Sequence, residues 1–444
     1  MMSEPTPDLV IGKLSRRWKP TKRLKQLLKI DSGRLRRLLR KLEKDGLIES
    51  RTRGGQLEWR LVKGEARRIQ KIRKEPKAFI EEQKTSDQIS SDMKNLGQTM
   101  YKTLAKNEFP EIDLPSRSTS NIRFDQKLGQ YVLAGKTVTR STRNVGQIRS
   151  FSQFVWVMRF LKELLGEGKS STLRDIYYQS FGFGVKFGQQ SESDTTITDV
   201  EAKLKTPRES FRVFPEDRAA IYGNLTIEYT SPQKYAGNRV NLTDHPDGLM
   251  IGPYLTSSKF VDCKADKVIA IESGGMFTRF VEDGVYETHN AILIHTGGQA
   301  PRSVRRMIRR LRYELNLPTY LFVDADPWGA HIAMVIISGS ASAAHLRGLA
   351  TPDAIWMGVW ASDIQKYNLP SDPFTDTDKK RTQDLLKDPR YQTKFWQKEL
   401  NLFLKNGRKA EQQAFSRYGL SFVTEEYLPK KFKEISQLQR QGVL

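Results

Sequence analysis

The hydrophobic pattern at the amino-terminal end is carried by four leucines. Leu35, Leu38, Leu39 and Leu42 fall at i, i+3, i+4 and i+7, the spacing of one buried helix face. The rest of that helix carries Arg34, Arg36, Arg37, Arg40, Lys41 and Lys44. A short basic helix over 19–29 precedes it, and Ile30-Asp-Ser-Gly33 supplies a turn with an N-cap. Asp45-Gly46 ends the leucine helix. Residues 47–53 and 56–61 then flank Gly54-Gly55 as a hairpin. Helix, turn, helix and a two-stranded wing predict a winged helix-turn-helix over 1–64, an arrangement that lays its second helix in a DNA groove. Residues 65–94 are charged and polar and read as a linker, partly helical.

Beyond 95 the pattern changes twice. Ile112-Asp-Leu-Pro115, Ile122-Arg-Phe124 and Tyr131-Val-Leu133 are short extended pieces, and the apolar run Phe151 to Leu165 is helix-like. Gln190-Ser-Glu-Ser-Asp194 precedes a helix expected to start near Thr196, and Tyr222-Gly-Asn224 marks a boundary. From 223 onward strands alternate with helices. Residues 268–272, 291–295, 320–324 and 355–359 are the strands, with helices over 303–316 and 330–337 between them. Alternation of this kind predicts a mainly parallel sheet. The fold class is therefore α/β and multidomain, with units at 1–64, 95–222 and 223–444 around the 65–94 linker.

Two constellations bring chemistry to this frame. In Ser171-Thr-Leu-Arg-Asp-Ile-Tyr-Tyr178 a Ser or Thr caps a new helix, and Arg174 lies on the same face as Tyr178. A tyrosine phenol ionises near ~10, so a nearby cation would favour the phenolate or hold a phosphate. Downstream, a strand ends in Glu272 before Ser273-Gly-Gly275, and another ends in Asp324-Ala-Asp326-Pro-Trp-Gly329. Residues i and i+2 of a strand share a side, so Asp324 and Asp326 project together. Three carboxylates at the ends of parallel strands form a hard oxygen site suited to Mg²⁺. A phenolate attacking a DNA phosphodiester, with Mg²⁺ stabilising the charge on phosphate and leaving oxygen, uses all of these groups.

Charge supports a polyanionic partner. The 444-residue chain has 74 Lys+Arg against 51 Asp+Glu, a formal net charge of +23, which makes double-stranded DNA the first candidate. No apolar run reaches the ~20 residues of a membrane span, and the start lacks the pattern of a signal peptide. Cys263 is the only cysteine, so intrachain disulfides and a Cys-based zinc site are excluded. A cytoplasmic, nucleoid-associated protein is expected. Thr296-Gly-Gly-Gln299 lacks the Gly-Lys-Ser/Thr ending of a nucleotide loop, so ATP binding there is rejected. The five histidines are scattered, and no internal repeat is evident.

Arg174-Asp-Ile-Tyr-Tyr178 resembles the active-site motif of the catalytic (A-type) polypeptide of archaeal topoisomerase VI and of the related meiotic double-strand-break protein. Glu272 and Asp324-Ala-Asp326-Pro-Trp-Gly resemble that family's Toprim acidic motifs. Segments 114–121, 190–194, 305–311, 362–367, 396–400, 409–413 and 427–429 also resemble family segments in the same order, so the resemblance runs from about 95 to the C-terminus. It implies a catalytic winged-helix (CAP-like) domain over 95–222 and a Toprim domain over 223–444. Tyr178 would form a 5′-phosphotyrosyl linkage, Arg174 would position the phosphate, and Glu272, Asp324 and Asp326 would hold Mg²⁺. A homodimer of A-type chains is implied, each tyrosine working with the metal site of the other protomer. Strand passage would draw on ATP bound by a separate B-type ATPase subunit in an A2B2 assembly. Two alternatives stay open: an orphan or meiotic-type break enzyme acting without a B-type partner, and a catalytically silent DNA-binding regulator. The resemblance does not reach residues 1–64.

Overall fold

Residues 19–28, 35–36, 39–40, 42–43, 48–53, 56–61, 84–214 and 219–444 are described by the structure, a computed structural model. The chain divides into two units, Met1–Glu81 and Glu82–Leu444.

In the first unit β1 (Lys19–Pro20) leads directly into the helix Thr21–Leu28, and residues 35–36, 39–40 and 42–43 are helical. The hairpin β2 (Ile48–Arg53) and β3 (Gln56–Leu61) follows, with β1 pairing on the other side of β3 in the order β1-β3-β2. Burial follows the leucine spacing. Leu24, Leu35, Leu39 and Leu42 are buried together with Ile48 and Trp59, whereas Arg36 and Arg40 are exposed. Arg34, Arg37, Leu38, Lys41, Lys44 and residues 65–83 of the expected linker lie outside the described residues.

The second unit opens with the helix Ser86–Ala105, which takes over the end of the stretch read as a linker. Thr85 and Gln88 form a capping box at its start, and Ile89, Met93 and Met100 bury one face. Polar composition suggested a linker, but the apolar residues at i and i+4 joined this segment to the core. The pairs β4 (Glu111–Pro115) with β7 (Thr137–Ser141) and β5 (Ile122–Asp125) with β6 (Gln130–Leu133) come next. The long helix Val145–Glu167 ends at Gly168, whose φ of 66° is the left-handed conformation that glycine adopts without strain. The tyrosine helix Leu173–Gln179 and the helix Gln190–Leu204 pack beside it. The latter begins six residues before the expected Thr196. Glu192, in its first turn, accepts the Gly188 N–H of the preceding loop, and Ser193 is buried, so the polar stretch 190–194 is part of the helix.

The remainder is built on a six-stranded sheet. Its members are β8 (Ala220–Tyr222), β11 (Leu249–Met250), β13 (Lys267–Ile271), β14 (Ala291–His295), β15 (Thr319–Phe322) and β16 (Ile355–Gly358), in the order β11-β8-β14-β13-β15-β16. β14, β13, β15 and β16 are mutually parallel, and β8 and β11 add antiparallel pairings at one edge. Val268 to Ile271 are all buried, as expected of a parallel strand covered on both faces. A small antiparallel sheet holds β9 (Leu225–Glu228), β10 (Arg239–Asn241) and β12 (Lys259–Cys263), and β17 (Asp372–Pro373) pairs with β18 (Arg408–Lys409). Because β8 belongs to the main sheet, this layer begins before the expected boundary at 222/223.

A buried ionic cluster joins the tyrosine-bearing part to the sheet. Glu201, with no exposed surface, receives Arg302 Nη1 at 2.7 and 2.9 Å and the backbone N–H and Nη2 of Arg208 at 2.7 and 2.9 Å. Burial alone would raise the Glu201 pKa, but His345, Arg208 and Arg302 outweigh it and hold the carboxyl far below its usual range.

Candidate active site

Thr172 builds the tyrosine face. Its Oγ1 accepts the Asp175 N–H at 3.1 Å, and the Asp175 carboxylate accepts the Thr172 N–H at 2.9 Å. Ile176 is fully buried and sets the rotation of the short helix. Arg174 and Tyr178, one turn apart, are then both exposed, with Tyr178 at 57%. Tyr177 is half-buried and packs against the apolar cluster around Phe154 and Trp156. The Tyr178 ring stands 5.4 Å from Tyr177 and 6.1 Å from the half-exposed Phe181.

The carboxylates sit at the C-terminal ends of neighbouring parallel strands. Glu272 follows β13, and its backbone N–H donates to Phe322 O at 3.0 Å. Its Oε2 accepts the Asp324 N–H at 3.0 Å. β15 ends at Phe322, yet the alternation continues because Ala325 bridges antiparallel to Ala410. Ala325 is buried, leaving Asp324 and Asp326 half-buried to either side of it. Asp324 Oδ1 accepts the Gln412 N–H at 2.9 Å. Asp326 also caps the helix Pro327–Ser338, accepting the Gly329 N–H at 2.6 Å.

The electrostatics of the three acids are linked. Burial, followed by repulsion from Asp324, pushes Glu272 up to about 7 against a hydrogen bond from the Asp324 backbone. Burial also pushes Asp324 up to about 6, with Asp326 and Glu411 adding repulsion and the Gln412 N–H opposing it. Asp326 is raised by burial, while the N–H groups of Gly329 and Trp328 and the charge of Lys409 pull it back. Among the described residues, no hydrogen bond, ion pair or ring contact joins Tyr178 or Arg174 to these carboxylates.

Family models match two stretches. Residues 149–213 match the type IIB DNA topoisomerase model, and residues 267–432 match the Toprim domain shared by the topoisomerase 6 A-subunit and Spo11. The type 2 DNA topoisomerase 6 A-subunit of Methanothermobacter thermautotrophicus is 44% identical over 345 residues, 77% of this chain and 96% of the relative. The protein of the same name from Archaeoglobus fulgidus is 39% identical over 341 residues, 76% and 95% of the two chains. That from Natronomonas pharaonis is 37% identical over 364 residues, 80% and 98%. This chain belongs to the A-subunit family of type 2 DNA topoisomerase 6.

One of these carboxylates, Asp324, is held by a segment whose role pattern reasoning missed. Residues 408–413 close over the carboxylate edge. Gln412 donates its N–H to Asp324 and Nε2 to Phe322 O at 3.2 Å, Gln413 donates to Ser273 Oγ, and Lys409 pairs with Asp378 at 2.8 Å. The only signal was the similarity of Lys409-Ala-Glu-Gln-Gln413 to a family segment. Among the described residues, no group of three or more His, Cys, Asp or Glu converges into a ready-made metal cage. The donor set still fits Mg²⁺, which keeps several waters and takes one or two carboxylates together with substrate phosphate. Half-buried carboxylates whose ionisation is suppressed first by burial and then by neighbouring acids are what a divalent cation would relieve. Among the described residues, no helix is long and apolar enough to cross a membrane.

Proposed function

We propose that this chain is the DNA-cleaving subunit of a type IIB topoisomerase, with Tyr178 as its nucleophile. The observation that carries this reading is the exposed Arg174–Tyr178 face in a chain whose Toprim-matching stretch, residues 267–432, contains Glu272, Asp324 and Asp326. The Tyr178 phenol oxygen forms a bond to phosphorus and the P–O3′ bond breaks. The phenolic proton passes to solvent, and the 3′ oxygen leaves to become a hydroxyl. The product is a 5′-phosphotyrosyl linkage, whose retained ester energy lets the reverse reaction reseal the strand. Arg174, one turn away, steers the phosphate to Tyr178 by a charge-assisted contact. Glu272, Asp324 and Asp326 would hold Mg²⁺, which supplies charge stabilisation at the phosphate and the leaving oxygen.

The tyrosine lies in a winged-helix (CAP-like) domain and the acids in a Toprim domain. The lack of contact, among the described residues, between Tyr178 and the acids in one chain is consistent with a homodimer in which each tyrosine uses the partner's acidic edge. ATP-driven strand passage draws on a separate B-type ATPase subunit in an A2B2 assembly, and the DNA substrate associates the protein with the nucleoid in the cytoplasm. The test is covalent trapping. With Mg²⁺, Tyr178→Phe abolishes denaturant-resistant protein–DNA adducts and Tyr177→Phe retains them; adducts persisting in Tyr178→Phe would overturn the assignment.

A further inference from the structure

The amino-terminal unit is set apart by its charge. Residues 1–81 hold 24 Lys+Arg against 10 Asp+Glu, whereas residues 82–444 hold 50 against 41, so most of the +23 excess sits in the smaller unit. The relatives align almost their whole lengths with 341 to 364 residues of this chain, so some 80 or more of its 444 residues are outside each alignment.

Packing within this unit decides which cations are available. On the hairpin, Arg51 stands opposite Glu58 and pairs with it at 2.8 Å, and Arg60 stands opposite Glu49 and pairs at 2.6 Å. These cross-strand pairs neutralise the wing itself. On the helices the situation is reversed. Leu35, Leu39 and Leu42 turn inward, and Arg36 and Arg40, at i and i+4, share the outer face without a carboxylate partner among the described residues. Lys22, on the first turn of Thr21–Leu28, is likewise exposed and, among the described residues, without a carboxylate partner.

These three cations converge on one concavity of about 400 Å³, whose other lining residues include Thr21, Gln56, Leu57 and Trp59. Its floor is rigid. Trp59 Nε1 donates to Thr21 Oγ1 at 2.9 Å, and that hydroxyl donates to Leu57 O at 2.9 Å, which fixes the helix start to β3. A concave wall whose described lining holds three cations without a carboxylate partner among the described residues, the Gln56 amide and no acid is complementary to the closely spaced phosphates of a nucleic-acid backbone. The helix-and-wing frame selects a duplex, because a winged module presents one helix to a groove while neighbouring cations meet the flanking phosphates.

We propose that the amino-terminal unit is a second duplex-DNA binding site, separate from the cleavage site, in which Lys22, Arg36 and Arg40 contact backbone phosphates. It works without sequence readout by these three residues, and extends the hold on DNA of the enzyme proposed above. The inference rests on that reading only for the identity of the polyanion.

The test uses the full chain and a fluorescent 30-base-pair duplex, with affinity measured by anisotropy across a salt series. Each phosphate contact contributes about 0.9 to the slope of log K against log salt, so Lys22→Ala/Arg36→Ala/Arg40→Ala flattens the slope by roughly 2–3 and weakens binding about tenfold or more. Arg51→Ala/Glu58→Ala removes a charge pair already neutral and leaves the slope as it is. An unchanged slope and affinity in the triple variant would overturn the proposal. A loss seen with a single strand or an RNA duplex but not with the DNA duplex would overturn the assigned ligand. Tyr178→Phe keeps the salt slope while losing adducts, so failure of the nucleophile assignment and failure of this site give different results.

Discussion

Replacing Glu272 by Gln should stabilise the metal-free protein while destroying its cleavage activity. Glutamine keeps the acceptor for the Asp324 N–H, which Glu272 holds at 3.0 Å, but removes the charge. Burial and repulsion from Asp324 raise Glu272 from 4.5 to about 7, so its ionised form costs roughly 3 kcal/mol more in the folded than in the unfolded chain, at about 1.4 kcal/mol per pH unit. The sign follows from linkage. A carboxyl with a raised folded pKa keeps its proton in the folded state while the unfolded chain loses it. Stability therefore falls as pH rises from 4.5 to about 7, and the full penalty applies above that range. In chelator at pH 8, Glu272→Gln should melt higher by on the order of 3–6 °C. At pH 5 less than about 1 kcal/mol of the advantage remains. Added Mg²⁺ should raise the melting temperature of the native chain more than that of the variant, because the cation favours the ionised carboxylate. The assay is a thermal melt of both proteins at the two pH values, with and without Mg²⁺. A variant no more stable than the native chain at pH 8, or equally stabilised at pH 5, would refute the electrostatic reasoning.

Three other outcomes follow from the geometry. A Cβ on Gly329 would press deep into the Asp324 backbone, so Gly329→Ala should cost about 1–3 kcal/mol and cut adduct yield sharply at matched DNA occupancy; normal yield would show that the strand-end geometry is not critical. Glu201→Ala strands Arg208 and Arg302 in a buried site and should lose about 3–5 kcal/mol in denaturant unfolding, whereas exposed Glu163→Ala, paired with Arg159 on the helix surface, should lose under about 1 kcal/mol. Purified alone, the chain should not relax supercoiled DNA with ATP, and adding a cognate B-type ATPase should restore relaxation; relaxation by this chain alone would exclude the two-subunit reading.

The residues of the proposed chemistry were legible without coordinates because their arrangement is local. Arg174 and Tyr178 share a face by helical spacing, and a Thr172 cap fixes where that helix starts. Val268 to Ile271 and Tyr320 to Phe322 read as strands from continuous apolar runs, and a carboxylate lies just beyond each run. The leucine repeat likewise announced the inner face of the amino-terminal helix.

Local pattern misjudged segments whose fate depends on remote partners. Residues 86–94 looked like linker by composition until Ile89 and Met93 found a core, and β8 became part of a sheet by pairing with a strand some seventy residues onward. Sequence by itself determined the helix faces, the strand ends and the acidic and tyrosine motifs, because each depends on neighbours within one or two turns. Tertiary structure alone decided that Gln412 reaches Asp324, that Glu201 binds Arg302, and that Arg51 and Arg60 are neutralised while Arg36 and Arg40, among the described residues, are not. Charge and hydrogen-bond availability are settled by which groups meet across the fold, and no periodicity in the chain records those meetings.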